Sequence, residues 1–395
     1  MRTITVQERR RRLVRQHYLD GGATSPEAVV DALVALHATD PASVYLAVLA
    51  RSAASTLADV SQAMYVRRNL VRWMAMRRTL FLFARADIPV VQAAVSTPVA
   101  AMLRRQLVGR LKRNGTEPPI DGDTGDWLKD LEDRVERRLR ARKEATGAQL
   151  GADVPGLRTL IPPGAPSDRP QNVTSALLTL MSAEGRIVRG VPAGAWTSRH
   201  HRWEPVEHWW PTGLPRPGEE ESQRHLAWRW LARFGPATVE DLRWWTGWNN
   251  SDVRRALNGV HIEEVDLHGQ PGIALAGLAD DHDHYAEAAP VATLLPALDP
   301  TSMGWKRRDW FLGIDRRQIF DSAGNIGPTL WWDGEIVGSW AIGPAGGIRT
   351  KLLADRGAAA EAAVDEAASV LHDRLEGAVV TPAIRTPLER SLANG

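Results

Sequence analysis

The sequence predicts an α+β protein of tandem winged-helix domains, each a helix–turn–helix with a β-hairpin, closed by a small β-rich domain. Three observations predict it. Helical apolar spacing recurs along the chain, stopping at Gly or Pro and restarting at a Ser, Thr or Asp cap. Short alternating pairs follow these helices and turn at Gly/Pro or Arg-Arg. After Asp280 the texture shifts to short apolar runs between Gly-rich turns. At 395 residues the chain exceeds one compact core, and the spacing places domains at 1–118, 119–215, 216–284 and 285–395.

In order, Thr5-Val-Gln-Glu8 caps a first helix through Tyr18, ended by Gly21-Gly22. Ser25-Pro26 opens a second helix that the spacing carries to His37, and Pro41 to Ser52 gives a third, with Thr39 or Asp40 as its cap. After LADVSQAMY, a short helix, NLVRWMAM and TLFLFAR read as strands turning at Arg77-Arg78. The second domain holds a charged helix, DWLKDLEDRVERRLRARKE, with a solvated face, then GAQLGADV and NVTSALLTLMSAEG. RIVRGVPAGAW leads to a basic, aromatic tip, SRHHRW, and IPPGAPSDRP and WWPTGLPRPGEEE read as linkers. The clearest copy is the third. SQRHLAWRWLARF stops at Gly235-Pro236, Thr238-Val-Glu-Asp241 opens a helix ending at Thr246-Gly247, and Asn250-Ser251 caps SDVRRALNGV. HIEEVDL and GIALAG then form the wing. The last domain carries LPALDPTSMGWKRRDWFLG, GNIGPTLWWDGEIVGSWAI and IRTKLL, followed by an Ala-rich amphipathic helix, RGAAAEAAVDEAASVLHDRL.

Composition narrows the function. There is no cysteine, which removes disulfides, thiolate metal sites and cysteine nucleophiles. No apolar run is long enough to cross a bilayer, and MRTITVQERRRRLV lacks a signal-peptide core, so the expected location is cytoplasmic. Net charge is only +2, so a nucleic-acid surface has to be made by segregating charge. All but five of the 49 cations are arginine, whose planar fork suits phosphate. The 16 tryptophans far outnumber 4 Tyr and 5 Phe, and core packing accounts for most of them. Phosphate loops, Rossmann glycines and nucleophile elbows are absent. His200-His201 and His282-Asp283-His284 lack a third ligand at suitable spacing, so neither a metal nor another cofactor is expected.

Four basic groups fall on matching elements. Arg77-Arg78 and Arg199-His200-His201-Arg202 sit at hairpin tips, Arg254-Arg255 on the third helix of the clearest copy, and Lys306-Arg307-Arg308 in a C-terminal loop. Winged helices also build protein assemblies, but basic doublets so placed favour the phosphates of duplex DNA. The polar run His37-Ala38-Thr39-Asp40 is the remaining candidate. Its plain reading is a helix boundary; its sharper one is a catalytic cluster.

The strings ALVALHATDP, RWMAMRRTLFLF, FGPATVEDLRWWTG and LPALDPTSMGW…GNIGPTLWWDGEIVG together resemble, in order and spacing, the AlkZ/YcaQ family of bacterial winged-helix DNA glycosylases, from about Val6 to Leu353. The resemblance implies a C-shaped channel for duplex DNA and excision of bulky or crosslinking N7-alkylpurines by a monomer associated with the nucleoid. His37-Ala38-Thr39 stands where active members carry Gln-Φ-Gln or Gln-Φ-Asp, and Arg77-Arg78-Thr79-Leu80-Phe81 where relatives read Arg-Gly-Thr-Leu-His. An N7-alkylguanine is cationic and leaves neutral, so the chemistry needs a placed water and a stabilised oxocarbenium-like sugar, not a general acid. Imidazole, with an unperturbed pKa of roughly 6.5, can place a water and accept its proton. His37 is then the water-activating residue, Thr39 its helper, and Asp40 a cap that adds negative charge beneath the sugar. The alternative is a non-catalytic DNA-binding protein on the same scaffold.

Overall fold

The structure, a computed structural model, describes residues 1–164, 169–277 and 289–394. Helices alternate with small, mostly antiparallel sheets, the α+β class the sequence predicts. The chain divides into two compact units. One holds Met1–Leu70, Phe81–Arg85 and Gln223 onward; the other holds Val71–Leu80 and Ala86–Ser222.

In the first unit, β1 (Arg2–Thr3) precedes α1 (Val6–Gln16), where Thr5 Oγ1 accepts from the Glu8 N–H at 3.1 Å. α2 (Pro26–Ala32) has Ser25 as its cap but stops short of the predicted His37. Leu33 leaves helical geometry, Val34 takes a φ of +60°, and Leu36–His37 form a strand, β2. The apolar spacing looks helical throughout; a partner distant in sequence overrides it, since Leu36 pairs with Leu82 and His37 with Phe81. α3 (Pro41–Leu49) is buried at every residue, and α4 (Leu57–Ser61) starts in a Thr56–Asp59 capping box. β3 (Leu70–Ala75) and β4 (Thr79–Ala84) flank Arg77-Arg78 as predicted, and the division between units runs through both strands.

The second unit continues with α5 (Ile88–Val91), α6 (Thr97–Asn114), α7 (Thr124–Arg142), β5 (Ala145–Thr146) and α8 (Gly147–Asp153). β6 (Leu160–Ile161) pairs with β7 (Gln171–Asn172) across the predicted linker, and α9 (Val173–Ala183) follows. β8 (Ile187–Pro192) and β9 (His201–Pro205) form a hairpin that β5 extends. The charged helix α7 does bury one ridge. Leu128, Leu131, Val135 and Leu139, spaced by three and four, enter a core with Leu107, Leu111, Leu177 and Trp203. Its other face carries i,i+4 pairs such as Lys129–Asp133 and Arg134–Asp130.

α10 (Glu219–Phe234), α11 (Val239–Thr246) and α12 (Asn250–Leu257) return the chain to the first unit. The Thr238–Asp241 capping box forms as predicted, and Gly247, at φ +77°, supplies the left-handed residue that ends α11. The cap of α12 is Asn249, one residue earlier than expected; its Oδ1 accepts from the Ser251 and Asp252 N–H groups, both at 2.9 Å. β10 (Ile262–Asp266) and β11 (Pro271–Leu275) form the antiparallel hairpin that follows, to which β1 adds in parallel. Next come β12 (Ala292–Leu295), α13 (Pro300–Met303), β13 (Thr329–Trp332), β14 (Glu335–Ile342) and β15 (Ile348–Leu352), an antiparallel sheet in sequence order. α14 (Ala358–Arg374), the expected Ala-rich helix, packs on β12 and β15; α15 (Pro387–Asn394), which was not expected, packs on β14.

A buried polar knot joins both ends of this unit's chain. Arg51 is fully buried and bonds both oxygens of Asp299, at 2.9 and 2.6 Å, and Thr301 Oγ1 at 2.8 Å. His17 meets the same hydroxyl through Nδ1 at 2.9 Å and donates from Nε2 to the Arg233 carbonyl at 2.9 Å. Most tryptophans lie in cores, as expected: Trp230 stacks on Phe234, and Trp305 donates to the Phe234 carbonyl.

Candidate active site and nucleic-acid interface

The polar run sits on β2 and the turn after it. Burial alternates along it: Leu36, Ala38 and Asp40 are buried, His37 is half-buried and Thr39 is exposed. The strand is only Leu36–His37 and Thr39 lies in the bend after it, so what alternates is exposure: His37 keeps its Nδ1 enclosed while Thr39 faces solvent. The imidazole meets Phe81, its partner in register, edge-on at 5.4 Å.

Asp40 occupies the cap position of α3, with Pro41 first in the helix, yet its carboxylate makes no capping bond. This corrects the expectation of a side-chain cap. Oδ2 instead accepts the Ala383 N–H at 2.8 Å, from the segment between α14 and α15. A backbone donor far along the chain leaves no mark in the sequence, and this contact was not anticipated.

The basic groups differ in how far their charge is already answered. In the first unit, Arg254 is exposed with no ion-pair partner among the described residues, while Arg255 pairs with Asp252 at 2.8 Å and bonds Gln223. Lys306 and Arg307 both reach Glu240, at 2.7 and 3.4 Å, and their N–H groups bind Asp241 Oδ1 at 2.9 and 3.0 Å. The Arg308 guanidinium lies over the Trp244 ring at 4.9 Å. In the second unit, Arg77 and Arg78 both take left-handed φ, +52° and +59°, and Arg78 donates to Gln106 at 3.2 Å. Arg199 and His200 are exposed, and Arg202 pairs with Glu144 at 3.3 Å. His201 turns inward against Trp203. Burial, with Arg189 and Arg72 adding repulsion, pushes its pKa down to about 3. Thus the structure places His37, Thr39 and Asp40 in the same unit as Arg254, Arg255 and Lys306–Arg308, and the other two groups in the second unit. His282-Asp283-His284 lies outside the described residues. Among those described, no cluster of three His, Asp or Glu side chains could hold a metal ion.

A histidine on a short strand with an exposed threonine in the bend after it, within a helical scaffold carrying basic tips, fits a protein that works on DNA. Residues 30–373 match the family model described as DNA glycosylase AlkZ-like, and the chain belongs to that family: it is a DNA glycosylase. Among solved structures it is similar to Streptomyces sahachiroi DNA glycosylase AlkZ, with a TM-score of 0.71 and 19% identity over 96% of this chain and 99% of that one. No curated protein matches the chain. Family membership decides for the enzyme over the non-catalytic DNA-binding alternative.

Proposed function

We propose that this glycosylase hydrolyses the N-glycosidic bond of bulky or crosslinking N7-alkylated purines in duplex DNA. In this reading it acts as a nucleoid-associated monomer through tandem winged helices, α10–α12 with β10–β11 being the clearest. The observation that carries the reading is a polar pair two residues apart, a half-buried His37 on β2 and an exposed Thr39 in the bend after it. A bulky or crosslinked base cannot easily rotate out of the stack, so the enzyme reaches the sugar from the groove with short side chains. His37 holds the water and takes its proton as it attacks the anomeric carbon; the cationic base departs neutral with the bonding pair. Thr39 makes the second contact to that water. Asp40, tied to Ala383, fixes the start of α3 and adds negative charge near the sugar. Arg77, Arg78, Arg199–Arg202, Arg254, Arg255 and Lys306–Arg308 hold phosphates and position the duplex.

Release of N7-alkylguanine from an oligonucleotide tests this. His37→Ala should keep DNA binding and slow excision at least roughly a hundredfold, with a smaller loss in Thr39→Ala. The wild-type rate should fall as pH drops through the histidine range, because only neutral imidazole accepts the proton. Wild-type inactivity on small, bulky and crosslinked N7 adducts overturns the substrate assignment. Full activity in His37→Ala overturns the role of the triplet.

A further inference from the structure

The helix α6 carries charge that no basic group named so far includes. Its 18 residues hold Arg104, Arg105, Arg110, Lys112 and Arg113 and no acidic side chain. Ala100, Leu107 and Leu111 bury one face. On the opposite face, Arg105, Gly109 and Arg113 form an i, i+4, i+8 ridge, with Gln106 and Lys112 beside it. Arg105 and Arg113 are exposed and have no carboxylate partner among the described residues. The neighbouring helix α7 behaves differently: Lys129, Arg134, Arg138, Arg140 and Arg142 each pair with Asp or Glu.

A helix dipole accounts for cations only in the last turn, so it explains Lys112 and Arg113 but not Arg105. Glycine is also unfavourable inside a helix, yet Gly109 stands in the middle of the ridge. A Cβ there would come within 3.0 Å of the Arg113 guanidinium, which folds back over the bare backbone. The turn after β3 docks on the same face through the Arg78–Gln106 hydrogen bond, so the hairpin cation and the helix cations are adjacent.

We infer that this face of α6 is a phosphate-binding surface for duplex DNA, with Arg105 and Arg113 as its principal contacts. The two lie two turns apart, about 12 Å along the axis, so they meet different phosphates. Gly109 between them leaves room for the Arg113 guanidinium to lie along the ridge. The inference rests on the chain being a DNA glycosylase and not on the His37 triplet.

Binding of the full chain to an undamaged duplex, titrated across salt, tests it. Arg105→Gln/Arg113→Gln should weaken binding roughly tenfold or more and reduce the slope of log K against log salt by about 1.8, two phosphates' worth. Its melting temperature should stay near wild type, since both side chains are exposed. Lys129→Gln on α7, which removes an answered charge, should bind as wild type. Wild-type affinity and slope in the double variant overturn the inference, as does an equal loss in Lys129→Gln, which would reduce the effect to net charge. Wild-type failure to excise any adduct, with this binding pattern intact, counts against the proposed substrate alone.

Discussion

His17 is a histidine the fold needs neutral. Its Nε2 faces a carbonyl, which can only accept, so that nitrogen carries the proton and Nδ1 accepts from Thr301. Burial, reinforced by Arg51, pushes its pKa down to about 3, against roughly 6.5 in an unfolded chain. Between those values unfolding takes up a proton, so stability falls as pH falls. His17→Gln should therefore flatten the loss of stability between pH 7 and pH 5, by up to about 2 kcal/mol, in urea melts followed at each pH. An unchanged profile would mean the imidazole protonates in place. Asp40 invites a paired comparison. Asp40→Ala leaves the Ala383 N–H without its acceptor and should cost about 1–3 kcal/mol, whereas Asp40→Asn keeps an oxygen there and should cost less. Equal losses in thermal melts would show that the carboxylate's charge, not its hydrogen bond, is what matters.

The loop Trp305–Arg308 is fastened to α11 from two directions: Asp241 binds its backbone and Glu240 its side chains. If Lys306 and Arg307 meet phosphate, Glu240 competes with DNA for them. Glu240→Gln should then tighten binding to undamaged duplex several-fold at low salt, and unaltered affinity would remove this loop from the interface. The start of α11 was legible in the sequence because a Thr-x-x-Asp box is a local signal; so were the β10–β11 hairpin, the Arg-Arg hairpin and the C-terminal sheet, marked by turns between apolar runs. β2 was not. Two residues carry no period, and what ends α2 is pairing with Leu82, far along the chain. The candidate site is affected accordingly: the sequence puts His37 at a helix end, whereas the structure puts it on a strand with Thr39 in the bend after it. β1 escaped for the same reason, since its partner Val265 lies at the far end of the chain's middle. The answered charge of Lys306 and Arg307 was equally invisible, because sequence shows the cations and not the carboxylate folded beside them.

With 49 basic and 47 acidic residues the molecule has little net attraction for DNA, so its binding should depend on the few cations left facing solvent. Affinity for undamaged duplex should fall steeply with salt and vary little with sequence; a curve flat between low and physiological salt would exclude phosphate as the main contact. Arg254→Ala/Arg255→Ala should weaken all duplexes alike by roughly 1–3 kcal/mol, with the larger share from Arg254, which no acid among the described residues holds. The division of the chain bears on a different question. One unit is drawn from both ends of the sequence, and its most buried ion pair joins residues 248 positions apart. At about 5–20 residues per second, Arg51 leaves the ribosome roughly 12–50 s before Asp299 does. For that interval a guanidinium destined for complete burial lacks its carboxylate, with only the His17 and Ala47 carbonyls among its partners already made, while Val71–Ser222 has every long-range contact of its own unit to hand. A chain ending at Ser222 should show amide protection at Leu128, Leu131 and Leu177 and none across Val44–Leu49. During synthesis, then, the unit bearing His37 should be completed only after Val71–Ser222, although His37 is made before it.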